Sequence, residues 1–198
     1  MPSFFNKLWP SKPDAYISTW TKNNKVQFFH TSQADRAERY LHEQALIEDV
    51  YFGVGLLAQP PQRGRGSAND VSHLPGFFMD WDVKQPGNEA HAKTELPGSV
   101  EDVYTFMDEI GLARPSVVIN SGNGIHTYYV MENALDLRDP DTRAKTATGL
   151  RQFQRAIIDQ GKALRGWKLD NTADLARVLR WPGTFNHKTN PPKRVEMI

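Results

Sequence analysis

Residues 116–131 read SVVINSGNGIHTYYVM, and this stretch decides the fold class. Two runs rich in β-branched and aromatic residues, 116–120 and 125–131, are separated by the sequence SGNG at 121–124. Such runs favour strands, and an Asn-Gly pair between them is a strong signal for a tight antiparallel hairpin. The stretch therefore predicts two neighbouring strands whose turn is made possible by two glycines.

Helical patterns flank this hairpin on both sides. Ser99 is a good N-cap residue, and apolar residues recur at helical spacing from Val103 to Ile110 before Gly111 closes the segment. A long helix follows the hairpin from about 141 to 164. The other predicted elements are a helix beginning near Ser32, strands at 50–58, 76–83 and 194–198, loops at 59–69 and 84–98, and a short helical stretch at 173–179. Helices mixed with a hairpin predict an α+β fold with a mixed or antiparallel sheet.

The composition is that of a globular protein. The chain has 198 residues, of which 39% are hydrophobic and 24% charged, and we expect one compact domain or two intertwined lobes over 1–198. The pattern of residues 1–30 predicts no defined helices or strands in that N-terminal extension. There is no apolar run near 18 residues and no signal-peptide pattern, so we expect no contact with a membrane. Cysteine is absent, which excludes thiol chemistry and cysteine zinc sites and suits a cytoplasmic location.

The charge is unevenly distributed along the chain. Residues 1–137 contain 11 basic and 17 acidic side chains, whereas residues 138–198 contain 13 basic and 6 acidic ones. A basic third can face a polyanion while an acidic part holds metal. The alternative is a simple difference between two solvated faces.

The first candidate for chemistry is the pair Asp80 and Asp82 in the predicted strand 76–83. Side chains alternate along a strand, so the two carboxylates share one face at roughly 7 Å, while Met79 and Trp81 point into the core. Two such anions repel each other unless a cation lies between them, and hard divalent ions prefer oxygen ligands. The alternative is a solvated strand face with incidental acids.

The second candidate is His126, just inside the returning strand of the hairpin. It shares a face with Tyr128, and the glycines of the turn at 121–124 let the backbone approach a ligand closely. A histidine placed there can donate a hydrogen bond to a phosphate oxygen. The alternative is an ordinary hairpin with a surface histidine.

The third candidate is the basic segment 170–188. Arg177 and Arg180 lie a predicted helical turn apart, a Pro-Gly turn follows, and Asn186 and Lys188 come after it. Arginine offers a forked donor and lysine a point charge, and both suit triphosphate oxygens. The alternative is a basic helix and turn in which a buried acid pairs with one of the arginines.

Together and in this order, the three pieces resemble the archaeo-eukaryotic primase superfamily. The resemblance is closest to the primase-polymerase (PrimPol) and RepB-type primase catalytic domains of plasmids, phages and integrated elements, some of which accompany CRISPR systems. The residues that carry it are Phe78-Met79-Asp80-Trp81-Asp82, Ser121-Gly122-Asn123-Gly124-Ile125-His126, and Asp170 with the run from Asp174 to Lys188 (DLARVLRWPGTFNHK). It implies a single catalytic core with a sheet of the RNA-recognition-motif kind fused to a small α/β lobe.

The resemblance also implies roles for individual residues. The catalytic and metal-binding acids would be Asp80, Asp82 and Asp170, holding two Mg²⁺ or Mn²⁺ ions. The nucleotide-binding residues would be Ser121, His126, Arg180, Asn186 and Lys188. Asp174 competes with Asp170 as the third acid; Asp170 follows an apolar Leu169 in a strand-like stretch, whereas Asp174 stands where a helix is predicted to start and would cap it.

The function implied is template-dependent joining of NTPs or dNTPs by a primase or DNA polymerase. The implied partners are nucleoside triphosphates, a single-stranded DNA template and primer, and a helicase or C-terminal primase domain that this sequence does not show. One alternative is a catalytically silent module that binds single-stranded or origin DNA. Another is a metal-dependent nuclease or a rolling-circle initiator, although the six histidines include no H-x-H pair.

Overall fold

The computed structural model describes residues 3–23, 25–84 and 95–198. The four α-helices found there are α1 (Phe4–Leu8), α2 (Ala34–Gln44), α3 (Val100–Glu109) and α4 (Pro140–Arg165), and a short 3-10 helix (Thr31–Gln33) precedes α2. The longer strands are β1 (Tyr16–Thr21), β2 (Val26–His30), β3 (Val50–Gly53), β5 (Val71–Asp82), β6 (Val117–Asn120) and β7 (Gly124–Asp136). The two-residue strands are β4 (Leu56–Leu57), β8 (Val178–Leu179), β9 (Phe185–Asn186), β10 (Lys193–Arg194) and β11 (Glu196–Met197).

One mostly antiparallel sheet organises the described residues. Its strands follow the order β11-β6-β7-β5-β4-β1-β3-β8, with β2 paired to β1, and β9 and β10 form a separate pair. The hairpin predicted from residues 116–131 is confirmed as β6 and β7, which turn at Gly122 with a left-handed φ of 88°. The α+β class and the antiparallel sheet are therefore confirmed.

The alternation predicted for β5 is also confirmed. Met79 and Trp81 are fully buried in an apolar cluster with Phe106 of α3 and Ile157 of α4. The long helix α4 is fixed to this strand by the buried Gln154, whose side-chain amide Nε2 donates to the Phe78 carbonyl at 2.8 Å. One face of β5 is thereby held against helices, and its other face carries the buried Phe78 followed by the acids Asp80 and Asp82.

The sequence pattern predicts no secondary structure for residues 1–30, but the described N-terminal residues include part of the core. Phe4 of α1 makes edge-to-face contacts with Phe52, Tyr128 and Trp181. Strand β1 lies inside the sheet, paired with β2, β3 and β4. These contacts join positions far apart in the sequence, so a local pattern could not reveal them.

The prediction of a helical stretch at 173–179 is wrong. The Asp174 carboxylate accepts a hydrogen bond from the Ala176 amide at 3.0 Å, which stabilises a turn, and the chain then enters β8. Phe52 and Leu179 are register partners of the β3–β8 pair. Pairing with a distant strand overrides the local helical spacing, so Arg177 and Arg180 flank a short strand instead of lying on one helix.

Smaller differences concern element bounds. The predicted strand at 50–58 is two strands, β3 and β4, and the one at 194–198 is two short strands, β10 and β11. The helix at 99–111 is confirmed, with the Ser99 side chain accepting from the Asp102 amide. Most of the loop predicted at 84–98 lies outside the described residues. Within the described ranges, no helix has the length and apolar character needed to cross a membrane.

Candidate active site

A polar pocket opens where the free face of β5 meets the hairpin turn and the basic C-terminal segment. Nine of the predicted or discussed residues line it together with Tyr51, Val178 and Leu179: Asp80, Asp82, Ser121, Asn123, His126, Arg177, Arg180, Asn186 and Lys188. The structure thus brings together every candidate nucleotide-binding residue and two of the three candidate acids. Asp170, the third acid, is exposed and is not among the residues that line the pocket.

One end of the pocket, which we call the Asp80 end, consists of Asp80, His126 and Arg177. Asp80 and His126 are register partners on β5 and β7, and the His126 Nε2 atom lies 3.5 Å from Asp80 Oδ1. The Arg177 Nη2 atom donates to the other carboxylate oxygen at 2.7 Å. The Arg177 side chain is 36% exposed and that of Asp80 is 21% exposed, so this ion pair faces solvent in the pocket.

His126 is a neutral imidazole in this environment. Burial lowers the pKa of His126 to about 4; the Asp80 carboxylate opposes that shift, and the charges of Arg180, Arg177 and Lys188 add to it. The Nδ1 atom of the ring is buried and has no hydrogen-bond partner among the described residues. An unpartnered polar atom in a buried position is costly, and a bound ligand or water can satisfy it.

The other cluster, which we call the Asp49 end, consists of the pocket residues Tyr51 and Arg180 together with Asp49, which is not among the residues that line the pocket. Arg180 Nη1 donates to Asp49 Oδ1 at 2.8 Å, and both side chains are at most 5% exposed. Arg180 Nη2 also donates to the Tyr51 hydroxyl at 3.2 Å, and the His187 amide donates to the same Asp49 oxygen at 2.7 Å. Burial alone would raise the pKa of Asp49, but these hydrogen bonds and the Arg180 charge hold it below its ordinary value.

Sequence reasoning missed Asp49. Its one local signal is weak, since it is the second of two adjacent acids directly before the buried strand β3, and its partner Arg180 lies 131 positions away. The alternative considered for the basic segment, a buried acid paired with an arginine, describes this interaction. Arg180 nevertheless lines the pocket, and its guanidinium is shared between Asp49 and the Tyr51 hydroxyl.

Asn186 joins the hairpin turn to the basic segment. Its Nδ2 atom donates to the Ser121 carbonyl at 2.8 Å, and its Oδ1 atom accepts from the Lys188 amide at 3.1 Å. A Cβ atom on Gly122 would lie 3.3 Å from that of Asn186, so the glycine is needed for close packing as well as for its φ. Asn186 and Ser121 therefore hold the two walls of the pocket at a fixed distance, and Lys188 lies on one of them.

Comparison with known proteins bears on the fold. No protein-family model matches the chain, and no curated protein sequence matches it. A solved structure does match: the AEP domain of the primase-polymerase (PrimPol) of cyanophage S-2L, with a TM-score of 0.56. The match covers 98% of this chain and 85% of that domain, at 16% sequence identity. The chain has an archaeo-eukaryotic primase-like fold.

That result confirms the predicted resemblance at the level of the fold. The primase-like fold places strand β5 and the β6–β7 hairpin beneath the pocket. The finer expectation of a sheet of the RNA-recognition-motif kind stays a prediction, as does a plasmid, phage or CRISPR context.

The acids of this primase-like fold fit a divalent ion in part. Asp80 and Asp82 project from one rigid strand into the pocket and supply the oxygen ligands that Mg²⁺ and Mn²⁺ prefer. In the part of the chain that the structure describes, no three histidine, cysteine or acidic side chains come together as a metal site. The residues thus fit an ion on two carboxylates, with further oxygens to come from a bound phosphate or water. The set that includes Asp170 is not assembled here. Asp174, the other candidate, is exposed and caps its turn.

Proposed function

We propose that this chain is a template-dependent primase or DNA polymerase core that joins NTPs or dNTPs by metal-dependent nucleotidyl transfer. One observation carries the proposal: two carboxylates on β5 and the cations of the basic segment line one pocket together. Nucleotidyl transfer needs this combination, because the triphosphate is a polyanion and the reacting oxygens gain charge in the transition state. The primase-like fold supports the same conclusion.

The cationic side of the pocket suits a triphosphate. Arg180 is held in one orientation by Asp49, so it offers fixed donors at little entropic cost. Lys188 follows Asn186 on the neighbouring wall and adds a mobile point charge. Neutral His126 can donate one ring N–H to a phosphate oxygen without adding to the net charge.

The acidic side of the pocket would hold a divalent ion through Asp80 and Asp82. Such an ion neutralises phosphate charge and makes a 3′-hydroxyl more acidic when it is bound. A second ion with Asp170 as third ligand stays a prediction that the placement of Asp170 does not support. Arg177 donates to Asp80, and we expect its guanidinium to turn toward the nucleotide phosphates when a cation binds that carboxylate.

The test is incorporation of labelled NTPs and dNTPs on single-stranded DNA, with Mg²⁺ or Mn²⁺, with and without a primer. We expect metal-dependent products that vanish in the double variant Asp80→Ala/Asp82→Ala. Asp136→Ala is the matched control, because Asp136 lies at the far, exposed end of β7 and pairs with Arg138. Products that persist in the double variant would overturn the mechanism, and unprimed reactions separate priming from extension.

A second candidate is a module that binds single-stranded or origin DNA without catalysis. It is favoured by the observation that the described residues bring only two acids to the pocket. DNA binding that needs no metal, together with no product under any condition, would support this candidate. Shortened DNA strands in the same reactions would instead indicate a nuclease. Neither the fold nor the comparison supports a helicase or C-terminal primase domain as a partner.

A further inference from the structure

Two neighbouring aromatic rings, with an arginine at each end, form a row that runs from the pocket across the sheet. Trp20 on β1 is the register partner of Tyr51 on β3, and their ring centroids are 5.1 Å apart. The Arg180 guanidinium lies 4.9 Å from the Tyr51 ring centroid, on the pocket side. The Arg65 guanidinium lies 5.7 Å from the Trp20 centroid. The row therefore continues the wall of the pocket outward by two residues, Trp20 and Arg65.

The two rings are not core residues. Trp20 and Tyr51 are half-buried, and within the described residues neither belongs to, nor packs against, the two apolar clusters of the protein. The other four tryptophans are all buried: Trp9, Trp81, Trp167 and Trp181. Trp20 is thus the one tryptophan that keeps substantial surface outside the core. A large ring that is only half-buried beside a polar pocket offers a flat apolar surface to a ligand.

The loop that carries Arg65 is built to reach the ring. Gly64 and Gly66 on either side of it have left-handed φ values of 66° and 95°, which let the loop turn twice within three residues. Arg63 in the same loop and Lys22 directly after β1 are both exposed. Trp20 therefore has Arg65 beside its ring in space and Lys22 two positions later in the chain, and a polyanion that brings flat rings would match both features.

We infer that Trp20 and Arg65 form a stacking site for an unpaired base of single-stranded nucleic acid. The base lies on Trp20, and Arg65 with Arg63 contacts the adjacent phosphates. Stacking on aromatic side chains beside a basic groove is how proteins hold single strands without reading their sequence. The inference deepens the proposed function, since it supplies a path by which a template strand enters the pocket past Tyr51. The binding itself requires no metal, nucleotide or catalysis.

Intrinsic fluorescence gives a direct reading of this site. Because the other tryptophans are buried, a base that stacks on Trp20 quenches the exposed part of the emission. We would titrate the metal-free protein with an oligodeoxythymidylate and follow tryptophan emission, and measure affinity separately by anisotropy of a labelled strand. We expect quenching in the wild type. We expect Trp20→Leu to weaken affinity roughly 5- to 100-fold, as removal of a stacked aromatic does, and Trp20→Phe to restore most of it.

The matched control is Phe29→Leu. Phe29 is a half-buried aromatic on the neighbouring strand β2, but it packs on Tyr40 of α2 on the opposite face of the sheet. We expect this variant to bind the strand like the wild type. Circular dichroism and urea unfolding of Trp20→Phe show whether the sheet tolerates the substitution. Equal affinities for Trp20→Leu and Phe29→Leu, or strand binding without any change in tryptophan emission, would overturn the inference.

Three further outcomes distinguish the stacking site from the nucleotide site and from the proposed function. If a nucleoside triphosphate alone quenches Trp20 as strongly as the strand does, the ring belongs to the nucleotide site and the inference is wrong. If the strand binds and quenches but no product forms under any condition, the stacking site stands and the proposed function fails. If products form and Trp20→Leu changes neither affinity nor extension, the proposed function stands and the stacking site fails.

Discussion

The two ends of the pocket use the same chemistry, a carboxylate paired with an arginine, but they are constructed differently. At the Asp49 end both charges are buried, and Asp49 also accepts from the backbone amide of His187. At the Asp80 end Arg177 reaches a carboxylate that faces the pocket, beside a histidine with an unpartnered ring nitrogen. The difference indicates that the Asp49 end positions a fixed cation, whereas the Asp80 end can exchange partners.

The largest expected effect comes from breaking the Asp49 end. Asp49→Ala leaves the Arg180 charge buried without its partner, and we expect the free energy of unfolding to fall by about 3–5 kcal/mol. Urea denaturation measures this. Asp159→Ala is the control, because it removes an exposed pair within α4, with Arg155, that is worth about 0.3–0.5 kcal/mol. Equal losses in the two variants would contradict the view that the Asp49 end is a structural anchor.

The next effect tests how the Asp80 end is held in place from the other face of the sheet. Gln154 is fully buried and donates to the Phe78 carbonyl while its Oε1 accepts from the Thr172 amide at 2.8 Å. Gln154→Ala leaves both backbone groups unsatisfied, which costs about 3 kcal/mol in the free energy of unfolding.

The same variant separates stability from site geometry. We expect Gln154→Ala to lower catalysis as well, because Phe78 precedes the acids on β5 and Thr172 lies on the segment that leads to Arg177. Gln152→Ala on the exposed side of α4 is the matched control and leaves both quantities near wild-type values. If the Gln154→Ala variant melted at the same temperature as the wild type, water would have replaced the hydrogen bonds of the lost amide.

How much of this comparison could be read from the sequence depends on how local each feature is. The β6–β7 hairpin, α3 and α4 follow from turn, capping and periodicity signals within a few residues, and the structure confirms them. The segment 173–179 was predicted as helix because its decisive partner, β3, lies more than a hundred positions away.

The candidate site divides in the same way. The two acids on β5, the hairpin histidine and the basic segment were found because each is a short motif, and the pocket collects them. Asp49 could not be found, since only the fold brings it to Arg180. A third acid was expected from the resemblance, and Asp170 was preferred for its position after Leu169; the structure leaves it outside the pocket.

The third effect is a pH dependence at the Asp80 end. The unfolded chain has an ordinary histidine pKa near 6.5, whereas burial lowers that of folded His126 to about 4. Between these values the unfolded state binds more protons, so stability is highest above pH 6.5 and falls as the pH drops toward 4. The expected loss from this group is about 2 kcal/mol between pH 7 and pH 5.

The measurement is urea unfolding of metal-free protein at both pH values, for the wild type and His126→Gln. The variant lacks this titration, so its stability should decline less between the two pH values. His73, whose pKa burial also lowers, titrates equally in both proteins and cancels in the difference. An equal decline in the free energy of unfolding of the two proteins would mean that His126 is hydrated and keeps an ordinary histidine pKa in the folded state.

The smallest effect on stability is expected from replacing Arg177. The direction in which the replacement changes cation affinity tests the difference between the Asp80 end and the Asp49 end. The Arg177–Asp80 pair is partly solvated, so Arg177→Ala should change the free energy of unfolding by less than about 1 kcal/mol. The variant also removes a positive charge that competes with any cation for Asp80. We therefore expect Mn²⁺ to bind the nucleotide-free protein about 5- to 10-fold more tightly, a gain of roughly 1 kcal/mol.

Arg177→Lys keeps the charge and should behave like the wild type. Electron paramagnetic resonance of free Mn²⁺ measures both affinities. Weaker binding in Arg177→Ala would mean that the arginine orients Asp80 for the ion, and the Asp80 end would then be as firmly constructed as the Asp49 end.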